Sequence, residues 1–406
     1  MALHYSIGAS LSDISETIEK RLVYCFAFAA FFFQFECFMV VVSLPDLSRE
    51  MNASRYTVSY VVSAYMLGVV TALLQANWVG QRLGFWRIFM AGIYIATIAT
   101  FLCAVAPNLI LLILFRVVQG VGVGAMVGGI YAILPTVIKS DKLGRAFGIL
   151  SASAGAGMVL GLPIGGLISS RLEWPWLFFG TMPFLCALIL LIKFYIPQDK
   201  LIIKSINTAY QYRDVLKTPS VTRGLFILFI FQGVMAGFRF LTPFLMEHQN
   251  NISSTISSLI FLFYPACFLV FSVWAGKQAD SYSPKRLMLL GGALSLMAFS
   301  FLLVFFYAKG AWHFVFFLIL IGSAAGLFTA PNNVAIVRGL PASDIQKASS
   351  LIPISLNIAL MFGTFSFGLL TTHNDPKLVL YFCIAIFIGL LLYISTLRDG
   401  SNNLAS

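Results

Sequence analysis

Twelve times along the chain, about twenty residues pass with almost no charge. A helix rising 1.5 Å per residue needs that length to cross the hydrocarbon core of a bilayer. Backbone polar groups at that depth have no water to bond, so each run must close its own hydrogen bonds as a helix. The runs begin near Leu22, Thr57, Ile88, Ile110, Ala146, Trp176, Gly224, Thr255, Leu287, Trp312, Ala348 and Lys377. Charged residues make up only 10% of the 406 residues, against roughly 25% in soluble proteins. A soluble globular fold is excluded, and the sequence predicts an all-α membrane protein.

A net charge of +11 invites a nucleic-acid partner, but the basic residues do not gather on one foldable surface. They sort by side. With an even number of spans and both ends on one side, nineteen of the 26 Lys and Arg residues fall in or beside segments on the side of the termini, among them Lys20, Arg21, Arg82, Arg87, Lys139, Lys142, Lys285 and Arg286. Arg49, Arg55, Arg171, Lys309 and Lys377 fall on the other side, and Arg116 and Arg239 lie within runs. Such asymmetry sets orientation. It predicts a multi-pass plasma (inner) membrane protein with both termini cytoplasmic, and no nucleic-acid partner. The six cysteines sit in or beside apolar runs without metal-site spacing, which suits small buried apolar residues. The first run follows a charged lead and has no small-residue cleavage site, so it reads as a retained helix.

The longest polar stretch, PQDKLIIKSINTAYQYRDVLKTPSVT, covers residues 197–222 and splits the runs six and six. The expected organisation is a cytoplasmic segment 1–21, a six-helix bundle 22–196, a cytoplasmic linker 197–222, a second bundle 223–397 and a tail 398–406. The turn after the second run, NWVGQRLGFWR, is echoed after the eighth by GKQADSYSPKR. Internal repeats of this kind suggest a secondary transporter with its site near the midplane.

Arg116 is the one charge in LILFRVVQGVGVGAMVGGIYAILP. A charge at that depth costs roughly 3 kcal/mol or more, so such residues face a bundle interior or a wet cavity and have a partner. Gln119 lies one turn on, and Gly120, Gly122, Gly124, Gly128 and Gly129 allow close helix packing. Counting along each run puts Glu36 about 12 Å, Arg116 about 9 Å and Arg239 about 10 Å below the outer end. Three buried charges are thus expected in one layer. Glu36 is the only carboxylate well inside a run. Burial disfavours its ionised form and a nearby arginine favours it, so it suits a proton-coupling group with Arg116 as partner. A fixed ion pair holding helices together is the other reading. The surplus positive charge of Arg239 favours an anionic or zwitterionic ligand; its alternatives are bonds to carbonyls or an outward-reaching side chain. Gln34, Gln75, Gln119 and Gln232 could contact substrate or bridge helices. Glu247, His248, His313 and His373 read as helix-end positions. No metal-ligand cluster and no phosphate-binding Gly-Lys-Ser/Thr element occurs, so no cofactor is expected and ATP is not the expected energy source; a proton gradient acting through Glu36 is the expectation.

Several segments carry a resemblance. FECFMVVVSLPDLSREM is similar to an LDxTIVNVALP element, with Glu36 at the acidic position. LILFRVVQGVGVGA matches a fourth-helix motif through Arg116, Gln119 and Gly120. WPWLFFGTMPF resembles WRWIFLINVP, and LFTAPNNVAIVRGLPASDIQKASSL resembles a tenth-to-eleventh-helix segment. Together these resemble the major facilitator superfamily, and its drug:proton antiporter branch in particular. That family's G-x-L-x-D-R-x-G-R-R turn appears with Asn77 and Gln81 in place of its glycine and aspartate but keeps Arg82, Gly84 and Arg87; the second-half turn keeps Gly276, Asp280, Lys285 and Arg286. The fifth-helix Gly-Pro-x-x-Gly-Gly motif appears as Gly161-Leu-Pro163-Ile-Gly165-Gly166, with proline one place late. Many members of the branch have fourteen helices; twelve are read here.

The resemblance implies the major facilitator fold, two six-helix bundles rocking about a central site. It implies export of a small molecule (a drug, metabolite or siderophore) by proton antiport, through a monomer in the lipid bilayer. Arg116 would share in proton coupling. Arg82, Gly84, Asp280, Lys285 and Arg286 would gate, and Gly161, Pro163, Gly165 and Gly166 would supply packing and bending between the halves. Uptake of an amino acid or carboxylate by symport, or a non-transporting sensor or scaffold, are the alternatives. An enzyme is not expected, since no nucleophile–base or metal set appears.

Overall fold

The computed structural model describes residues 16–138, 140–196, 212–250, 252–281, 283–308, 310–338, 340–373 and 376–397. In the first half the helices are α1 (Glu16–Val42), α2 (Leu44–Glu50), α3 (Arg55–Leu83), α4 (Phe85–Ala104), α5 (Leu109–Val137), α6 (Ser140–Arg171), α7 (Pro175–Phe179) and α8 (Met182–Tyr195). In the second they are α9 (Tyr212–Leu216), α10 (Pro219–Asn250), α11 (Ser254–Phe261), α12 (Phe263–Ser281), α13 (Pro284–Val304), α14 (Trp312–Val337), α15 (Ala342–His373) and α16 (Pro376–Thr396). Twelve stretches of these helices are long and apolar enough to cross a membrane.

Eleven of the twelve spans begin within five residues of the expected start. The fifth span starts at Ala152 rather than near Ala146, although its helix is already running at Ser140. The eighth is broken between α11 and α12. Pro265 has no N–H to give to the carbonyl of Phe261, and there the ladder slips, with Leu262 N bonding Leu259 O. The expected linker is shorter than its polarity suggests: α9 forms within it and α10 starts at Pro219. Val215 and Val221 are buried with Ile336, Ala348, Leu351 and Ile354. Residues 197–211 and 398–406 lie outside the described residues, as do 1–15, and α1 starts at Glu16, inside the segment expected to precede the first bundle.

Within the first six spans α1 packs on α6, and α3 and α4 pack on α5; in the last six α10 packs on α15, and α12 and α13 on α14. Glycines set these contacts. A Cβ on Gly120 would lie 2.0 Å from Tyr65 O, and one on Gly124 2.5 Å from Val69 O, so α5 meets α3 backbone to backbone. The same device recurs between α14 and α12, where a Cβ on Gly322 would lie 2.4 Å from Tyr264 O and one on Gly326 2.7 Å from Phe268 O. In each half, carbonyls four residues apart on the second span receive glycines four apart on the fourth. The internal repeat is thus visible in packing, where sequence shows it only as a basic turn.

The end at which α1 starts is also where α8 and α16 stop: Arg21 Nη1 donates to Tyr195 O at 3.4 Å, and Lys285 Nζ to Ser395 O at 3.0 Å. At the opposite, distal end the halves are joined by polar contacts. Arg49 pairs with Glu247 at 2.6 Å, Thr255 Oγ1 meets Ser170 Oγ at 2.7 Å, and Tyr56 and Tyr60 pack on Phe365. Further in, Ser63 Oγ donates to Met361 O at 3.4 Å.

Candidate functional site

α1 carries Glu36 and α5 carries Arg116 into direct ionic contact in the interior of the first half, with side chains 0% and 1% exposed. Arg116 is held on every side. Its Nε donates to Val61 O at 3.1 Å, its Nη1 to Gln119 Oε1 at 2.7 Å, and its guanidinium lies 4.0 Å from the centre of the Tyr65 ring. Gln119 in turn donates to Thr100 Oγ1 at 2.7 Å. The chain Glu36–Arg116–Gln119–Thr100 ties α1, α5 and α4 together, with α3 contributing a carbonyl and a ring. Gln119 has therefore turned into this network and bridges helices. Two polar atoms here have no hydrogen-bond partner: Glu36 Oε2 and the Tyr65 hydroxyl. The pair is sealed in the bundle interior.

Arg239 does not join the pair. It is half-buried on α10, donates to the Tyr264 hydroxyl at 2.7 Å, and lies within electrostatic reach of Cys37 on α1. Among the described residues no carboxylate pairs with it. Beside it Met235, Phe238, Thr242, Phe261 and Phe317 enclose a void of about 10 Å³, room for at most one water. Gln232 is buried and donates to Thr329 Oγ1 at 2.9 Å, linking α10 to α14. Gln34 is half-buried and Gln75 exposed.

The sequence matches the family model of the Major Facilitator Superfamily over residues 25–250 and 224–404. The chain belongs to the Major Facilitator Superfamily. It is 23% identical over 379 residues to the riboflavin transporter RibZ of Clostridioides difficile, covering 80% of this chain and 82% of that one. It is 28% identical over 340 residues to the MFS-type transporter YceJ of Bacillus subtilis, covering 81% and 83%. A multidrug resistance protein B homologue of Mycobacterium tuberculosis is 32% identical over 162 residues, 40% of this chain and 30% of that protein. The crystal structure of a D-xylose-proton symporter superposes with a TM-score of 0.78 at 14% identity, over 94% of this chain and 98% of that one. The protein is a multi-pass secondary transporter for a small molecule, and the family does not consist of enzymes.

Against the superfamily frame, the residues expected to gate take varied positions. Gly84 joins α3 to α4 with φ +91°, a backbone that favours glycine. Arg82 covers the Trp78 ring at 3.9 Å. Lys285 is committed to the last carbonyls of α16, a helix-end contact, and Arg286 is exposed. Gly161 and Gly165 face α1 inside the first half, where a Cβ would lie 2.4 Å from Phe35 O and 2.5 Å from Met39 O. Of the fifth-span motif it is Gly166 that touches the other half, its carbonyl accepting from Thr255 Oγ1 at 3.4 Å; Pro163 is half-buried within α6. The side chains of Asp280, His248 and His373 lie outside the described residues. His313 stands at the start of α14, a helix end as expected, and is fully buried, with neither ring nitrogen bonded. Cys186 is exposed, against the expected burial of every cysteine. Tyr65, Thr100 and Tyr264 were not singled out from sequence, because a Tyr or Thr in an apolar run carries no signal until its rotation about the helix is known.

Proposed function

We propose that this transporter exports a small anionic or zwitterionic organic compound in exchange for protons, by alternating access in the plasma (inner) membrane, as a monomer. The observation that carries the reading is the sealed Glu36–Arg116 pair with Glu36 Oε2 unpartnered. A carboxylate held by an arginine releases a proton; one separated from it in an apolar core takes one up. A conformational change that loosens the contact therefore moves a proton. The excess of Lys and Arg on the side of the termini supports a cytoplasmic location for them. On that orientation the latched distal end faces outward, and the conformation described is closed to the outside.

Arg239 supports the charge of the substrate. Among the described residues its hydrogen-bond partner is a neutral phenol, so a ligand oxygen bearing charge makes a stronger bond in that place. The names of the relatives, a riboflavin transporter and a multidrug resistance homologue, support organic cargo such as a metabolite, drug or siderophore. The test uses energised inside-out vesicles with a pH-gradient dye and a panel of anionic, zwitterionic, neutral and cationic compounds. Anionic or zwitterionic compounds should collapse the gradient, and Arg239→Ala should abolish that response while sparing any response to neutral dyes. Equal loss for both classes contradicts the anion reading. A gradient-collapsing response seen only in right-side-out vesicles points instead to uptake by symport.

A further inference from the structure

The repeat makes Tyr65 and Tyr264 equivalent. Each sits on the second span of its half, and each offers its backbone carbonyl to a glycine of the fourth span, Gly120 and Gly322. Glu36 and Arg239 are the charged side chains deep within α1 and α10, the first spans of the two halves, at six residues before Val42 and eleven before Asn250. In the second half the tyrosine hydroxyl bonds the charged side chain at 2.7 Å. In the first half the Tyr65 hydroxyl lies within reach of the Glu36 carboxylate but makes no bond of normal geometry with it. Both it and Glu36 Oε2 are buried and unsatisfied. A buried polar group left alone is costly, and here one is a donor and the other an acceptor.

We infer that Tyr65 is the positioning residue for Glu36: a shift of α3 that closes the remaining gap lets its hydroxyl donate to the free carboxylate oxygen, which favours the ionised form and so sets when Glu36 takes up a proton. The inference rests on the proposed coupling role of Glu36. The backbone seam at Gly120 fixes Tyr65 over Arg116, and α3 also carries Ser63, which contacts α15 of the other half. A movement of the halves therefore reaches the hydroxyl through one helix. Glu36 is faced by Arg116 and Gln119 from α5, Tyr65 from α3, Cys103 from α4 and its neighbour Cys37, with Arg239 of α10 beyond. Tyr65 is the only neutral group of these that combines a strong donor with an empty acceptor beside it.

The test needs no known substrate. N,N′-dicyclohexylcarbodiimide modifies protonated carboxyls in apolar sites, and mass spectrometry of the full chain in liposomes reads modification of Glu36 as a function of pH. A hydroxyl bonded to the ionised form favours that form, so its removal should let labelling persist to higher pH. Tyr65→Phe should move the labelling midpoint upward by about one pH unit, and Tyr264→Phe should leave it in place. Tyr65→Met, which also lacks the hydroxyl, carries the same expectation should the phenylalanine variant fold poorly. An unmoved midpoint in Tyr65→Phe, with Glu36 still labelled, overturns the inference and leaves the coupling role standing. A tyrosine that only fills the core would give that result together with an unchanged or higher melting temperature, since the lost hydroxyl had no partner. Failure of Glu36 to label at any pH in the unmodified chain overturns the coupling role as well.

Discussion

At the scale of residues, the Glu36–Arg116 pair is a stability problem that is solved locally. Removing one partner from a buried pair costs about 3–5 kcal/mol, because the other charge is left unpaired. Arg116→Ala should therefore lower the melting temperature sharply, while the double variant Glu36→Gln with Arg116→Gln should melt higher than Arg116→Ala; differential scanning fluorimetry checks both. The meeting of these two side chains was legible in sequence, since depth follows from counting at 1.5 Å per residue. Rotation about the helix was not. Arg239 stands at the expected depth yet turns to Tyr264, Gln119 turns to Thr100, and His313 at the start of α14 turns inward. Each depends on neighbours supplied by distant segments.

At the scale of elements, glycine does two different jobs. Gly84 needs its φ of +91°, and nothing stands within 4 Å of where a Cβ would go. Gly161 is an ordinary helical residue whose Cβ would press on Phe35 O at 2.4 Å. Gly84→Ala should cost about 1 kcal/mol, a backbone effect alone. Gly161→Ala should cost clearly more, since α6 must move off α1 and the close contact along it is lost. Thermal unfolding of the two variants separates strain from separation, and equal losses would contradict the packing described. The glycine spacing in the sequence announced a seam; which helix filled it was not legible, because Gly161 and Gly165 face α1 while Gly166 of the same motif meets the other half.

At the scale of the whole molecule, the halves are held at the distal end by Arg49, which bridges Asp46 of its own half and Glu247 of the other. Arg55 stacks beside them on Phe244. Such contacts favour one of two arrangements only as far as they are absent from the other. Glu247→Gln should shift the population toward distal opening, and the exchanged pair Arg49→Glu with Glu247→Arg should restore closure. With the other cysteines replaced, Cys37, buried where α1 nears Arg239, reports the opening by its labelling with a membrane-impermeant thiol reagent added outside. Unchanged labelling in Glu247→Gln would mean that the ion pair does not hold this end. The twelve spans were readable because a bilayer constrains length and composition so tightly. The latch was not readable, because its members come from helix ends almost 200 residues apart.

The central claim is that Glu36 carries the proton. Reconstituted protein loaded with a transported anion allows two assays side by side: exchange of labelled for unlabelled compound without a pH gradient, and accumulation driven by an imposed one. Glu36→Gln should keep exchange and lose gradient-driven accumulation. Accumulation that persists in Glu36→Gln at the level of the unmodified chain would contradict the account.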